Sequence, residues 1–405
     1  MTRGIWIIVS LVGALVIVGS GVVTYRVGEQ LLNARTVRAD PVPVASARLG
    51  GEGPGTVVSA LTIPNLTRTV TSVGAQAARV IYRSTEGDTG ASTLVSGTVF
   101  APNGTPPSGG WPVVAFGHGT TGINEPCAPS LSATLLDQAP VVAGFLKLGY
   151  AVAFADYQGL GTTGNHPYLD ARTAGFNIID AVRATRATFS NVSPRWAAFG
   201  GSQGGGAVWA AAEQAATYAP ELTLVGAVAL SPAADMTGLV DKSVQGTLTT
   251  DQKPVLQWVL ASLARLQPDL NLNDFRRGVA AQYWDALSAC SGPLVHTRSA
   301  VAPDIGPHDL SPSGPGPAQQ LRNLLQRWAL PQHRLTAPLS VVYGDDDTYI
   351  DPSWTTAAIA RACALGGTVV SRLEPGKGHA DIDGADQITW IADRFAGKQV
   401  ANACQ

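Results

Sequence analysis

From residue 94 onward, short runs rich in β-branched and aromatic residues alternate with Ala-rich stretches whose apolar positions recur every three to four residues. The first pattern is that of buried strands and the second that of amphipathic helices. Strands are predicted at 94–100, 113–116, 151–155, 196–199, 224–230, 339–343 and 369–373, and helices at 135–148, 172–188, 207–218, 354–364 and 386–395. Strand and helix in regular alternation specify an α/β architecture in which crossover helices cover a mostly parallel sheet.

The alternation stops once. Between Pro232 and Pro338 the pattern is helical at 255–266 and 274–287, and then loosens into the Pro- and Gly-rich run 308–317. A sheet can carry such an excursion after one strand without losing its pairing, so 233–337 is expected to be an inserted helical cap on a core formed by 56–232 and 338–405. Ahead of that core, Ala39-Asp40-Pro41-Val42-Pro43 and the glycines at 50, 51, 53 and 55 predict a linker or irregular arm over 26–55. Residues 5–23 carry no charge. At about 1.5 Å per residue such a segment spans a hydrocarbon core of roughly 30 Å. Residues 1–25 are therefore expected to be a signal anchor, which would hold the chain to a membrane, or a cleaved signal peptide, which would leave it secreted.

With 405 residues, 45% of them hydrophobic and 14% charged, the chain can bury one large core with an insertion, or two ordinary domains. A formal net charge of -2 creates no strong field of one sign, which argues against a nucleic-acid partner and for small-molecule chemistry. Cys127, Cys290, Cys363 and Cys404 are an even number without CxxC spacing. Beside an export segment they are expected to form two disulfides, for which spacing alone allows three pairings, and to place the folded region outside the cytoplasm.

Gly200-Gly201-Ser202-Gln203-Gly204 lies between the strand at 196–199 and an Ala-rich helix. A Gly-x-Ser-x-Gly turn in that context is a nucleophile elbow: serine occupies a strained position, and the flanking glycines let two chains pass closely. Ser202 Oγ is then the attacking atom, and the Gln203 N–H, at a helix N-terminus, is a donor to a developing oxyanion. The strand at 113–116 runs into Gly117-His118-Gly119-Thr120-Thr121-Gly122. This loop is expected to supply the second donor, the N–H of Thr120 first and that of Gly119 second, with His118 holding the loop.

A serine nucleophile needs a base, and the base needs an orienting carboxylate. After such an elbow the partners follow in the order acid, then histidine. Of the histidines beyond Ser202, His296 and His308 fall in the cap and His333 precedes the strand at 339–343. His379, in the loop after the last predicted strand, remains. The acid should follow the strand at 339–343, where Asp345, Asp346, Asp347 and Asp351 compete. Asp347, three residues after Gly344, has the appropriate spacing, and Pro352 opens the next helix.

Further motifs are Cys127-Ala128-Pro129-Ser130, Asp156-Tyr157-Gln158-Gly159-Leu160-Gly161, His166-Pro167-Tyr168-Leu169 and Ser202-Gln203-Gly204-Gly205. With the Gly117 to Gly122 loop they make the chain resemble the secretory lipase family typified by fungal lipase A and its actinobacterial relatives. The resemblance implies an α/β-hydrolase fold with a mostly parallel central sheet and an inserted helical cap, secretion, and hydrolysis of acyl esters including lipids. It also implies the pairings Cys127 with Cys290 and Cys363 with Cys404. Many relatives carry histidine where this chain has Gly201 and Gly206, so a wider entrance is expected. His166 and Asp156 precede the nucleophile without clustered partners and are expected to be structural.

The expected activity is lipase-like carboxylic ester hydrolysis through a Ser202–Asp347–His379 triad and an acyl-enzyme, without a metal or organic cofactor, on an acyl ester or lipid. An acyltransferase would use the same intermediate, and a membrane-tethered binding protein would keep the fold without turnover.

Overall fold

A computed structural model describes residues 39–404. The apolar run at 5–23 lies outside the described residues, and among those described no helix is long and apolar enough to cross a membrane. The strands of one sheet are Val57–Thr62 (β1), Ala75–Thr85 (β2), Ser92–Pro102 (β3), Trp111–Gly117 (β4), Ala151–Ala155 (β5), Val192–Gly201 (β6), Thr223–Leu230 (β7), Leu339–Gly344 (β8) and Val369–Glu374 (β9). They lie in the order β1-β2-β3-β5-β4-β6-β7-β8-β9. Pairing is antiparallel from β1 to β3 and between β3 and β5, and parallel from β5 to β9.

The inner parallel strands read as largely apolar runs because helices cover both faces: every residue of β5 and of β8 is buried. β1 and β2 carry no such run. In β2, Ala78, Val80, Tyr82 and Ser84 are buried while the residues between them, Arg79 and Arg83 included, are half-buried, a period-two pattern that the search for apolar runs passes over.

Helices Ala139–Lys147 (α1), Ala171–Thr188 (α2) and Gln203–Tyr218 (α3) follow β4, β5 and β6. Asp170 caps α2 by accepting from the Arg172 and Thr173 amides. Ala207, Ala210, Ala211 and Ala212 bury the small-residue surface of α3 in the main core. The helical pattern at 135–148 begins too early. Leu135, Leu136 and Asp137 are left-handed, with φ of 55°, 50° and 67°, and the helix starts at Ala139, with Pro140 in its first turn.

Between β7 and β8 the chain is helical. Gly238–Gln245 (α4), Gln252–Leu266 (α5), Leu294–Val301 (α6) and Pro315–Trp328 (α7) surround a second apolar core that includes Leu256, Val259, Leu260, Phe275 and Leu321. α7 begins inside the run predicted to be loose, since a proline is tolerated in a first helical turn. Pro352–Ala364 (α8) and Ala385–Phe395 (α9) flank β9. Asp351 and Pro352 start α8, the Asp351 carboxylate accepting from the Ser353 amide.

Two disulfides cross between these layers. Cys127–Cys290 ties the loop after β4 to the helical insertion, and Cys363–Cys404 ties α8 to the C-terminal segment. The arm before β1 docks against the sheet: Pro43 and Leu49 bridge to Leu61 and Val57, and Val44 and Ala47 pack against the main core.

Candidate active site

The chain turns from β6 into α3 at Ser202, whose φ of 58° and ψ of -121° are strained for an L-residue. Neighbouring backbone holds the turn. The Ser202 amide donates to Leu230 O at 2.9 Å, and the Gly206 and Ala233 amides donate to Ser202 O. A Cβ on Gly204 would lie 2.0 Å from Gly117 O, and one on Gly200 would lie 2.5 Å from Gly204 O, so the elbow packs against the end of β4 only if both are glycine. The Gln203 N–H belongs to the first turn of α3, where amides lack intrahelical acceptors.

His379, in the loop after β9, places Nε2 2.9 Å from Ser202 Oγ and Nδ1 2.7 Å from Asp347 Oδ2. Donation from Nδ1–H to the carboxylate leaves Nε2 with its lone pair toward the serine hydroxyl. Asp347 leaves the end of β8 and is buried, with Oδ1 accepting from the Tyr349 and Ile350 amides at 2.8 and 2.9 Å. One carboxylate oxygen is thus fixed by its own loop while the other holds the imidazole. The competing carboxylates are placed elsewhere: Asp345 accepts from the Gly376 amide and Asp351 caps α8, while the Asp346 amide donates to Lys377 O. His308 contacts Ser311 in the insertion, and the His333 amide donates to Glu213.

Two residues that the motifs do not reveal steady the imidazole. Ser231, at the end of β7, donates its hydroxyl to His379 O at 3.0 Å, and the Tyr349 ring lies 4.9 Å from the imidazole. Neither carries a sequence signal, because both act through contacts that the fold alone creates.

The loop after β4 lies against Ser202, where a Cβ on Gly119 would come within 3.8 Å of Ser202 Cβ. Thr120 Oγ1 shares a 2.8 Å hydrogen bond with Tyr168 OH. On the other side, Gln203 Nε2 donates to His166 Nε2 at 3.0 Å, and His166 Nδ1 donates to Gln158 O at 2.8 Å. His166-Pro167-Tyr168 therefore grips Gln203 and Thr120, two of the three residues predicted to provide oxyanion amides. Ser262, on α5, holds this tripeptide by donating to His166 O at 2.5 Å and accepting from the Tyr168 amide at 2.9 Å. His118 and Asp156 are buried off the reacting line. The two His118 ring nitrogens face Gly119 O and Asp156 O, and the Asp156 carboxylate accepts from Ser96 Oγ and the Ser130 amide. Burial pushes the imidazole pKa down and the carboxyl pKa up.

Ser202 and His379 open into a cavity of about 560 Å3. Its walls include Thr120, Tyr168, Leu169, Met236, Val255 and Trp258. α5 is divided between two duties: Pro254, Val255 and Trp258 face the cavity, whereas Leu256, Val259 and Leu260 enter the second core. The wider entrance expected at Gly206 is not present. A Cβ there would meet Ala233 O at 2.6 Å, and neither Gly201 nor Gly206 lines the cavity.

Comparison with known proteins finds similarity to lipases. The secretory lipase family model matches residues 129–289. Lipase 6 of Candida albicans is 26% identical over 339 residues, covering 76% of this chain and 70% of its own length. A Mycobacterium tuberculosis protein named a probable inactive lipase is 26% identical over 357 residues, covering 80% of this chain and 75% of its own. Candida antarctica lipase A in its closed state superposes with a TM-score of 0.71 at 17% identity, covering 92% of this chain and 89% of that one. Over residues 129–289 the chain is similar to the secretory lipases, and its fold is that of the α/β-hydrolases.

Proposed function

We propose that the protein is a serine carboxylic ester hydrolase whose triad is Ser202, His379 and Asp347. The observation that carries this reading is the unbroken hydrogen-bond chain from Ser202 Oγ through the imidazole to the Asp347 carboxylate, at 2.9 and 2.7 Å, opening into a cavity. His379 Nε2 takes the hydroxyl proton as Oγ attacks the ester carbonyl carbon. The negative charge that develops on the carbonyl oxygen is met by the Gln203 amide and by that of Thr120 or Gly119. As the C–O bond to the alcohol breaks, His379 returns the proton to the leaving oxygen. Water then repeats the sequence on the acyl-Ser202 ester, releasing the carboxylic acid and restoring the serine.

The relative named inactive favours, as a second reading, a hydrolase fold that binds without turnover. A complete and correctly oriented trio of side chains favours turnover. The two disulfides suit an extracytoplasmic location. Initial rates on p-nitrophenyl esters of two to sixteen acyl carbons test the activity. Hydrolysis by the wild type and its loss in Ser202→Ala are expected, and equal rates in the two proteins would overturn the assignment.

A further inference from the structure

Arg298 is a cation in the wall of the cavity that holds Ser202 and His379. Its Nη1 donates to Ala289 O at 2.7 Å, and its guanidinium carbon stands 5.4 Å from the Trp258 ring centroid. Among the described residues it has no carboxylate partner. Asp251 also lines the cavity, but it accepts from Thr348 Oγ1 at 2.6 Å and sits at the start of α5. Trp258 lies two turns farther along that helix, about 10 Å at 1.5 Å per residue. Among the described residues no ion pair or hydrogen bond joins Asp251 to Arg298.

The route from the reacting centre to Arg298 is ordered. Thr120, beside the nucleophile, is hydrogen-bonded to Tyr168 OH, and the Tyr168 ring meets Trp258 edge-on at 5.9 Å. Trp258 is fixed by donation from Nε1 to Leu287 O at 2.7 Å, and Arg298 stacks on it. The cavity thus has a reacting end, an apolar wall that includes Val255 and Met236, and a guanidinium beyond one aromatic ring. A guanidinium with free N–H groups in a partly desolvated wall matches a carboxylate.

We infer that this site takes esters carrying an anionic group separated from the scissile carbonyl by a short apolar spacer, and that Arg298 selects them. The inference rests on the hydrolase reading above. The reaction is unchanged: water adds across the ester, and the products are an alcohol and an acid, one of which bears the second carboxylate.

The test compares kcat/KM for matched pairs. In one arm, p-nitrophenyl ω-carboxyacyl esters of four, six and eight acyl carbons are set against neutral acyl esters of equal length. In the other, butyrate esters of ω-hydroxy acids are set against butyrate esters of the parent alcohols. The wild type is expected to favour the anionic member about tenfold or more in at least one arm, in line with a hydrogen-bonded ion pair, and that arm identifies the anionic side of the ester. R298Q should bring the ratio to one or below and R298K should retain part of it. If R298Q does not fold, raising NaCl from 10 to 500 mM should reduce the wild-type ratio several-fold. A wild-type ratio of one in both arms, or one unaffected by R298Q and by salt, would overturn the inference. Absence of turnover on every ester would overturn the hydrolase reading itself.

Discussion

Gln203 Nε2 donates to His166 Nε2 across 3.0 Å, and the opposite ring nitrogen donates to Gln158 O. The pair fixes the imidazole as the neutral Nδ1–H tautomer, and burial pushes its pKa down to about 3. The folded protein therefore binds fewer protons here than the unfolded chain, whose imidazole titrates near 6.5. Stability from this group is complete above that value and is lost as pH falls toward 3. Urea unfolding should show His166 costing about 2 kcal/mol between pH 7 and pH 5. His166→Gln should lose correspondingly less over that interval, and parallel curves for the two proteins would refute the prediction.

Tyr168 holds the other side of the reacting centre through Thr120. Tyr168→Phe removes the 2.8 Å hydrogen bond to Thr120 Oγ1, and Ser262→Ala removes the clamp on the tripeptide. Both should lower kcat about tenfold, a partial loss of oxyanion stabilisation, with little change in KM. Values corrected by active-site titration separate this from simple loss of folded protein, and an unaltered corrected kcat would show that the clamp does not reach the chemistry.

Glu213 is the opposite case to His166. Its Oε2 accepts from the Gln332 and His333 amides where the chain returns from the insertion, yet burial outweighs these bonds and pushes its pKa up to about 7. A carboxyl whose folded pKa exceeds its unfolded value of about 4.5 weakens the fold as pH rises between the two. Glu213→Gln should therefore gain stability relative to wild type from pH 4 to pH 8, by up to about 3 kcal/mol. A difference between the two proteins that does not change with pH would contradict this.

The disulfides should differ in weight. Cys127–Cys290 spans 163 residues and Cys363–Cys404 spans 41, so in the chain-entropy account the first stabilises by about 1 kcal/mol more. Denaturant unfolding of the paired serine variants measures the difference. Gly122, with φ of 141°, is part of the first bridge because a Cβ there would lie 2.3 Å from Cys127 Sγ. Gly122→Ala should leave free thiols at Cys127 and Cys290, detectable with a thiol reagent, while Cys363–Cys404 stays closed.

Legibility in the sequence follows burial. Strands covered on both faces, such as β5 and β8, appear as apolar runs and are found, whereas β2, which places Arg79 and Arg83 on a half-buried face, and its partner β1 escape notice. Motif and chain order single out Ser202, Asp347 and His379, and the structure brings them into one hydrogen-bonded chain. Ser231, Tyr349 and Ser262 are illegible for a different reason: each acts through a ring contact or a backbone group supplied by a distant segment, and no local pattern encodes that. The Gly206 expectation fails because the position faces Ala233 backbone rather than the cavity, a direction that sequence spacing does not give.

The central claim is that Ser202 is the nucleophile, and covalent labelling tests it most directly. A fluorophosphonate probe added to purified protein, followed by peptide mapping, should place one adduct per chain on Ser202, with no labelling in Ser202→Ala and much slower labelling in His379→Ala. An adduct on another residue, or undiminished labelling of Ser202→Ala, would contradict the account.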